Sequence, residues 1–374
     1  MRFIIAAGGT AGHINPALSI AQFLRKRRPE DEILFVGSTG GLESELVPKA
    51  GFEMTTLKVH GLRRGFSPAD MLYNLKSGFS LIGSFREADR VISAFKPDVC
   101  VGTGGYASFP VIYRAAKRGI PTAIHESNAV PGMTTKRLAP YVDRIMVSFE
   151  DSVSSFKQRE KILHTGNPLR DGMVFSRKAD ARETLGMPLD TPLVVSFWGS
   201  LGAREMNRKM ADFIALEAHK SEFRHVHATG SFGWKWMPEL VREKGVNLAN
   251  EPDIDLREYI NDMPVLMAAA DLIICRAGAM TLSELCAAGR PSIIIPSPNV
   301  TDNHQEKNAR ALERRGAAEV ILERNCEGKL LYNRTRALLA DRARLMSMSK
   351  AALSMGVFDG VERICEALVQ LAKS

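Results

Sequence analysis

FIIAAGGTAGHINPALSIA, residues 3–21, decides the fold: an apolar run leads into glycines and then into a helical pattern. Residues 3–7 predict a buried strand, residues 8–12 a loop, and Asn15-Pro16 a helix cap followed by proline at the first helical position. The same order recurs in LVVSFWGSLGAREMNRKM, residues 193–210. Glycines admit a ligand close to the backbone, and a helix start offers free N–H groups to phosphate. The repetition predicts two nucleotide-binding units that face one ligand cleft.

Further apolar runs alternate with helical segments along the whole chain, which predicts an α/β protein with two parallel sheets. The expected further strands of the first sheet are residues 32–37, 99–102, 122–125 and 144–147. Those of the second sheet are residues 193–197, 224–229, 272–275 and 292–296. Ligands bind at the carboxyl ends of such strands, and residues 165–170 are the expected hinge.

Several function classes are disfavoured by what the loops and the composition contain. Neither glycine loop has the G-x-G-x-x-G spacing of a dinucleotide site or the Gly-Lys-Ser/Thr of a P-loop, which argues against a dehydrogenase or an NTPase. With 45% hydrophobic and 25% charged residues among 374, the chain is typical of a globular protein, and we expect it to stay in the cytoplasm. Five widely spaced cysteines without a C-x-x-C pair are expected to be reduced core residues: Cys100, Cys275, Cys286, Cys326 and Cys365.

The net charge of +8 is concentrated in the first half of the chain. Up to Gly166 there are 22 basic and 15 acidic residues, whereas the remainder has 28 and 27. Within residues 61–90, basic residues accompany apolar ones at helical spacing, which fits a helix lying on an anionic membrane or, equally, a helix packed on the sheet. With 7% aromatic residues and no nucleic-acid motif, we expect no nucleic-acid partner.

Seven motifs together carry a family resemblance over nearly the whole chain. In order they are GGTAGHINPALSIA, GTGGYASFP, HESNAVPG, TGNPLR, GSLGAREMN, CRAGAMTLSELCAAGRPSIIIPSP and DNHQEKNA. They resemble the MurG family, the peptidoglycan N-acetylglucosamine transferases of glycosyltransferase family 28. The resemblance implies the GT-B fold, in which two Rossmann-like domains enclose a cleft and a C-terminal helix returns to the first domain.

The resemblance also implies an activity and a location. The family moves N-acetylglucosamine from UDP-N-acetylglucosamine (UDP-GlcNAc) to the 4-hydroxyl of the muramoyl sugar of undecaprenyl-linked lipid I, giving lipid II with inversion. It implies no cofactor and no metal. It also implies an anionic membrane surface as partner and a peripheral position on the cytoplasmic face of the plasma (inner) membrane. The implied cellular roles are in cell shape, the cell cycle and the division machinery. The implied domains are residues 1–165 with helix 357–374 for acceptor and membrane, and residues 166–356 for UDP-GlcNAc.

Site residues follow from the resemblance motif by motif. Residues implied to contact UDP-GlcNAc are Thr10, Ala11, Gly12, Asn128, Arg170, Ser200, Ile260, Ala279, Met280, Thr281, Leu282, Ser283, Glu284, His304 and Gln305. Among these, Glu284 is expected to bind the ribose, Ile260 to read the uracil through its backbone, and Gly278-Ala279 to bring N–H groups to the pyrophosphate. Residues implied to bind the acceptor are Gly104, Gly105, Tyr106 and His125. The first glycine loop, together with Gly104 and Gly105, is expected to surround the lipid pyrophosphate.

His13, which closes the first glycine loop, is the candidate general base, because imidazole accepts a proton near neutral pH. The alternatives are that His13 only fixes the loop or binds acceptor phosphate, and that Glu126 is the base.

Three residues depart from the family pattern, and the changes at two of them, Leu201 and Ser127, leave open a scaffold that has lost activity. Ala11 replaces a glycine, while Leu201 and Ser127 each stand where glutamine is usual. The alternatives are a UDP-GlcNAc 2-epimerase-like enzyme, a transferase with another lipid acceptor such as diacylglycerol, and an inactive scaffold.

Overall fold

The computed structural model describes residues 1–59, 83–169 and 177–374. The chain forms two compact units. Unit 1 consists of Met1–Leu169 and Asp359–Ser374, and unit 2 of Arg170–Phe358. The division lies four residues beyond the expected boundary at residue 165, and the C-terminal segment belongs to the first unit.

Unit 1 is built on a seven-stranded parallel sheet with the strand order β3-β2-β1-β4-β5-β6-β7. Its strands are β1 (Arg2–Ala7), β2 (Glu32–Ser38), β3 (Glu53–Leu57), β4 (Val99–Gly104), β5 (Thr122–Glu126), β6 (Arg144–Val147) and β7 (Ile162–His164). Its helices are α1 (Ala11–Arg27), α2 (Glu43–Lys49), α3 (described over residues 83–95), α4 (Ser108–Lys117), α5 (Met133–Leu138) and the C-terminal helix, Gly360–Lys373. Apolar clusters cover both faces of the sheet, as a parallel sheet requires.

Unit 2 repeats this plan with six parallel strands in the order β10-β9-β8-β11-β12-β13. Its strands are β8 (Leu193–Phe197), β9 (Arg224–Ala228), β10 (Ile254–Arg257), β11 (Leu272–Cys275), β12 (Ser292–Ile294) and β13 (Ala318–Val320). Its helices are α6 (Lys178–Thr184), α7 (Arg204–Glu217), α8 (Ser231–Trp234), α9 (Met237–Glu243), α10 (Met263–Ala269), α11 (Ala279–Ala288), α12 (His304–Arg314), α13 (Gly328–Ala340) and α14 (Arg342–Ser354); the C-terminal helix of unit 1 is α15.

In both sheets the strand order reverses beside the strand that precedes a glycine loop. In unit 1 the neighbours β1 and β4 flank the reversal, and in unit 2 the neighbours are β8 and β11. A crevice opens at such a point because the following helices cover opposite faces of the sheet, and ligands bind there. The topology therefore brings the loops after these strands together, unit by unit.

The predicted central strands are present, whereas four edge strands escaped the sequence reasoning. β3, β7, β10 and β13 have only three to five residues and mix polar with apolar side chains, so that they lack the apolar run of a buried strand. The five cysteines are buried and unpaired, as predicted. Most of the 61–90 stretch lies outside the described residues. Among the described residues, no helix combines the length and apolar character needed to cross a bilayer.

The predicted start of α1 is wrong. The helix begins at Ala11 after an extended Thr10, whose carbonyl oxygen accepts from the N–H groups of His13 at 3.0 Å and Ile14 at 3.1 Å. Pro16 therefore lies within the helix. Its missing N–H leaves the Gly12 carbonyl without the intrahelical donor it would otherwise have. Ala11 and Gly12 are helical instead of loop residues.

Candidate active site

His13 lies in the first turn of α1, with its ring turned back toward the first glycine loop. Its Nδ1 is 3.1 Å from the Gly8 carbonyl oxygen and 3.3 Å from Thr10 Oγ1. A carbonyl oxygen only accepts, so the bond to Gly8 requires that Nδ1 carries the proton. In the neutral ring Nε2 then presents a lone pair, which is the arrangement that a general base needs.

Gly104 and Gly105, at the end of β4, pack directly on this loop. Their φ angles are +117° and +87°. A Cβ on Gly104 would lie 2.8 Å from His13 Nε2, and one on Gly105 would lie 2.7 Å from the carbonyl carbon of Gly8. The two glycines thus let the β4 loop touch His13 and the first loop, and Tyr106, 49% exposed, follows them.

Glu126 is hydrogen-bonded on both carboxylate oxygens. Oε1 accepts from the backbone N–H and the side-chain amide of Asn128, each at 3.0 Å, and Oε2 accepts from the Gly132 N–H at 2.9 Å. The residue is buried. A base needs an accessible lone pair beside the substrate, so this geometry makes Glu126 a support of the loop that carries Asn128 and favours His13 as the base.

His125 is also buried, with 1% exposure, so the expectation that it shapes an acceptor pocket does not match its position. Its Nε2 donates toward the Gly166 carbonyl oxygen at 3.2 Å, close to Ser148 Oγ. Desolvation by burial lowers the pKa of His125 against the opposing effects of Gly166 and Glu126. Side chains alternate along β5, and the pleat sends this one into the unit.

Glu43 is a residue near the first loop that the sequence reasoning missed. It is fully buried in the first turn of α2 and accepts hydrogen bonds from the Gly9 N–H at 3.0 Å and the Ser38 N–H at 2.8 Å. The sequence did contain a pattern that points to Glu43: folds built from β-α-β units often place an acidic residue after the second strand, near their ligand.

In unit 2 the loop after β8 is held by the loop after β9. Gly202 and Gly230, with φ angles of +79° and +75°, approach each other so closely that a Cβ on either would collide with the other loop. The Ser231 N–H donates to the Ser200 carbonyl oxygen at 3.2 Å. Ser200 and the departing residue Leu201, 57% exposed, are thereby presented at the carboxyl edge of the sheet.

The N-terminus of α11 lies at the adjacent strand end, after β11. Its cap is Gly278, and its first turn contains no acidic residue. The N–H groups of Ala279, Met280 and Thr281 have no acceptor within the helix, so they and the helix dipole can meet an anion.

Leu282 is also predicted to contact the donor. Its side chain is fully buried and its N–H donates to the Gly278 carbonyl oxygen at 3.0 Å. As the fourth helical residue, it faces the core and makes the first full-turn bond. Ser283 and Glu284 follow in the second turn of α11. Glu284 is 4% exposed, and burial first and then the charge of this carboxylate raise the pKa of Cys275.

Gln305, in the first turn of α12, links two strand-end loops. Its Oε1 accepts from the Ala277 N–H at 3.2 Å and from the Ser297 N–H at 2.9 Å. Asp302 and Asn303, just before the helix, both have left-handed φ angles, of +56° and +50°. Backbone strain of this kind persists where surrounding structure fixes it, often at ligand sites.

Ile260, His304 and Arg170 are the remaining predicted donor residues of unit 2. Ile260 is buried, 3% exposed, in the loop after β10, where its backbone can reach the same sheet edge. His304 opens α12 and is half-buried. Arg170 lies outside the described residues.

Comparison with known proteins identifies the family. The model of the glycosyltransferase family 28 N-terminal domain matches residues 3–147, and that of the C-terminal domain matches residues 193–364. The chain belongs to glycosyltransferase family 28. The expected α/β class, with two Rossmann-like domains of the GT-B fold, is confirmed.

Individual family 28 relatives match the whole chain. One, from Acetivibrio thermocellus, is named UDP-N-acetylglucosamine--N-acetylmuramyl-(pentapeptide) pyrophosphoryl-undecaprenol N-acetylglucosamine transferase; it is 46% identical over 376 residues, covering 100% of this chain and 99% of the relative. A protein of the same name from Caldanaerobacter subterraneus is 44% identical, covering 97% and 98%. The crystal structure of Acinetobacter baumannii MurG gives a TM-score of 0.76 at 26% identity, covering 99% of each chain.

Proposed function

We propose that this family 28 glycosyltransferase transfers N-acetylglucosamine from UDP-GlcNAc to the 4-hydroxyl of the muramoyl sugar of lipid I, forming lipid II for peptidoglycan synthesis. The observation that carries this proposal is the full-length match at 46% identity to a transferase with that name. The local geometry of both units supplies the parts that such a reaction needs.

Unit 2 would hold the donor. The free N–H groups at the start of α11 would bind the pyrophosphate of UDP, with the Ser200 loop beside them. These donors are pre-positioned where negative charge grows as UDP leaves, so they stabilise the transition state more than the ground state.

The remaining donor contacts are proposed from the motifs. Glu284 would accept from the ribose hydroxyls, and the Ile260 backbone would read the uracil edge. Gln305 would act largely by fixing the loops, because its Oε1 is already shared by two backbone N–H groups. Further donor contacts are proposed for Thr10, Ala11, Gly12, Asn128, Arg170, Met280, Thr281, Ser283 and His304.

Unit 1 would supply the base and bind the acceptor. Nε2 of His13 would take the proton of the 4-hydroxyl as that oxygen attacks the anomeric carbon of N-acetylglucosamine. The bond from this carbon to the β-phosphate oxygen breaks, and its electron pair leaves with UDP. Attack opposite the leaving group inverts the anomeric configuration. The first loop, Gly104, Gly105 and Tyr106 would contact the acceptor pyrophosphate and sugar.

An aromatic patch on unit 1, formed by Phe85, Phe109, Tyr113 and Tyr141, would rest on the membrane. Phe109 and Tyr113 stack at 5.8 Å, and Tyr113 meets Tyr141 edge-on at 4.9 Å between ring centroids. Lys117 Nζ lies 5.1 Å from the Tyr141 ring. Aromatic rings beside exposed cations suit the headgroup region of an anionic bilayer.

This patch supports peripheral membrane binding, and the cytoplasmic face of the plasma (inner) membrane and roles in cell shape and in the division machinery are proposed from the family resemblance. Sedimentation with phosphatidylglycerol vesicles tests the membrane binding. We expect Lys117→Ala to bind about five-fold more weakly, since one surface cation contributes about 1 kcal/mol. Leu189→Ser, at a 68% exposed site of unit 2, is the control. Equal binding by both variants and the unaltered protein would exclude the patch.

The activity is tested with labelled UDP-GlcNAc, with and without a lipid I analogue, by following disaccharide-lipid and UDP. We expect acceptor-dependent transfer, with kcat reduced about 10²–10⁴-fold in His13→Ala. His164→Ala is the matched control, because its ring also bonds a backbone carbonyl, that of Ser148, at 3.2 Å. UDP release without acceptor would instead indicate an epimerase-like enzyme, and binding without turnover a scaffold.

A further inference from the structure

A carboxylate is buried directly behind the first glycine loop. Glu43 has no exposed surface, and its two oxygens accept from three donors outside its own residue: the Gly9 N–H at 3.0 Å, the Ser38 N–H at 2.8 Å and the Ser38 hydroxyl. Burial raises the pKa of Glu43, but the bonds from Ser38 and Gly9 outweigh it and leave the pKa below its ordinary value. The group is therefore a buried anion with satisfied oxygens.

Three glycines make the space for this carboxylate. A Cβ on Gly8 would lie 2.9 Å from Glu43 Cδ, and a Cβ on Gly37 or Gly41 would lie 2.5 Å from atoms of the same side chain. Real Cβ atoms do not approach so closely, so any larger residue at these positions would displace the carboxylate. Two segments of unit 1, the first glycine loop and the β2–α2 connection, form the pocket, which distinguishes it from a chance surface contact.

One peptide group connects Glu43 to His13. The Gly9 N–H that Glu43 accepts and the Gly8 carbonyl that His13 Nδ1 approaches belong to the same peptide unit. In a trans peptide the N–H and the C=O point in opposite directions. A hydrogen bond from the N–H to an anion polarises the amide and makes its carbonyl oxygen a stronger acceptor.

We propose that Glu43 is a positioning residue for His13 and acts through the Gly8–Gly9 peptide group. The carboxylate orients that peptide so that its carbonyl accepts the Nδ1 proton, which leaves Nε2 free to take the substrate proton. The arrangement is a carboxylate–imidazole pair with a peptide group inserted between its members. This inference rests on the proposed role of His13 as the base.

The chemistry of the pocket explains why a carboxylate is required. Glutamine has the same shape, but its amide presents one acceptor and one NH₂ group. Either orientation directs the NH₂ toward the N–H of Gly9 or that of Ser38, so one buried donor loses its acceptor. Glu43→Gln therefore removes the charge and one of the buried hydrogen bonds, and it keeps the volume.

The test reads the His13 tautomer by ¹⁵N NMR of histidine-labelled protein, with the His13 signals assigned from His13→Gln. We expect the Nδ1–H tautomer in the unaltered protein at a pH where the ring is neutral, and a shift toward Nε2–H in Glu43→Gln. In the transferase assay we expect kcat to fall about 10–100-fold in this variant, with the KM for UDP-GlcNAc little changed. An Nε2–H ring in the unaltered protein would overturn the proposal without any variant.

Glu251→Gln is the matched control, since Glu251 is also a buried carboxylate that accepts a backbone N–H, that of His219 at 2.9 Å. It should leave the His13 tautomer and kcat unchanged. Glu43→Asp keeps the charge and should retain more activity than Glu43→Gln. An unchanged tautomer in folded Glu43→Gln refutes the role of Glu43. Full activity of His13→Ala refutes the base itself, and the NMR result distinguishes the two failures.

Discussion

Replacing Gly105 by alanine tests the contact between the β4 loop and the first glycine loop. The residue has a φ angle of +87°, and its added Cβ would lie 2.7 Å from the Gly8 carbonyl carbon and nearer still to the oxygen. That oxygen is the acceptor of the His13 Nδ1 proton. The substitution should therefore reduce stability and activity together.

The expected loss of stability has two parts. A side chain at positive φ costs about 1–2 kcal/mol, and an overpacked contact that backbone must relieve costs about 1–3 kcal/mol. A total of about 3 kcal/mol lowers the Tm of a domain of 150–250 residues by about 10 °C. The displaced Gly8 carbonyl should also lower kcat by about 10-fold or more, because base alignment is lost.

Gly119→Ala provides the comparison. Gly119 is in the same unit with a φ angle of +71°, yet nothing lies within 4 Å of its added Cβ. It should show only the φ cost and normal kcat. Urea unfolding followed by far-UV circular dichroism reports both units, whereas fluorescence reports unit 2, which contains all three tryptophans. If Gly105→Ala is no less stable than Gly119→Ala and equally active, the close packing of the two loops is not what positions His13.

Three other outcomes are expected. Gln305→Ala should raise the Kd for UDP, measured by calorimetry, about 10-fold, because two backbone N–H groups lose their acceptor. Gln305→Glu keeps that acceptor and should bind UDP more tightly than the alanine variant. Equal weakening of both variants would contradict the proposal that Gln305 fixes these loops. His227 is buried, and desolvation holds its pKa well below 6.5, so its neutral form contributes stability above about pH 6.5 that is lost as the pH falls. The free energy of unfolding of unit 2, measured by tryptophan fluorescence, should then fall by up to about 1.4 kcal/mol per pH unit below pH 6.5. In His227→Gln it should fall less steeply, and equal slopes in the two proteins would refute this. Finally, burial raises the pKa of all five thiols, that of Cys365 to about 12, so a disulfide reagent at pH 8 should label them only after unfolding, and rapid labelling of the native protein would contradict their burial.

The sequence was sufficient for the central strands and for the family. Apolar runs such as residues 3–7 and 193–197 are buried on both faces of a parallel sheet, so hydrophobicity alone marks them. Short edge strands such as Ile254–Arg257 carry no such run, because only neighbouring strands define them. The start of α1 was misplaced because Pro16 is favourable at a first helical position yet tolerated a little later.

Local patterns identified the residues around the site, but they could not state which side chains are free to react. Glu126 and His13 both follow strand ends and both have suitable chemistry. The difference lies in their hydrogen bonds: both carboxylate oxygens of Glu126 accept from Asn128 or Gly132, whereas the bonds of the described His13 ring are on its Nδ1 side.

The sequence by itself determined the α/β class, the two glycine loops and the membership of glycosyltransferase family 28, because strand hydrophobicity and loop glycines are local properties of the chain. Only the tertiary structure brought Glu43 and Gly105 into contact with the Gly8–Gly9 peptide group. Glu43 accepts the hydrogen bond of Gly9 across 34 residues of sequence. Hydrogen-bond saturation and backbone collision depend on distances between separate segments, and no local pattern encodes those distances.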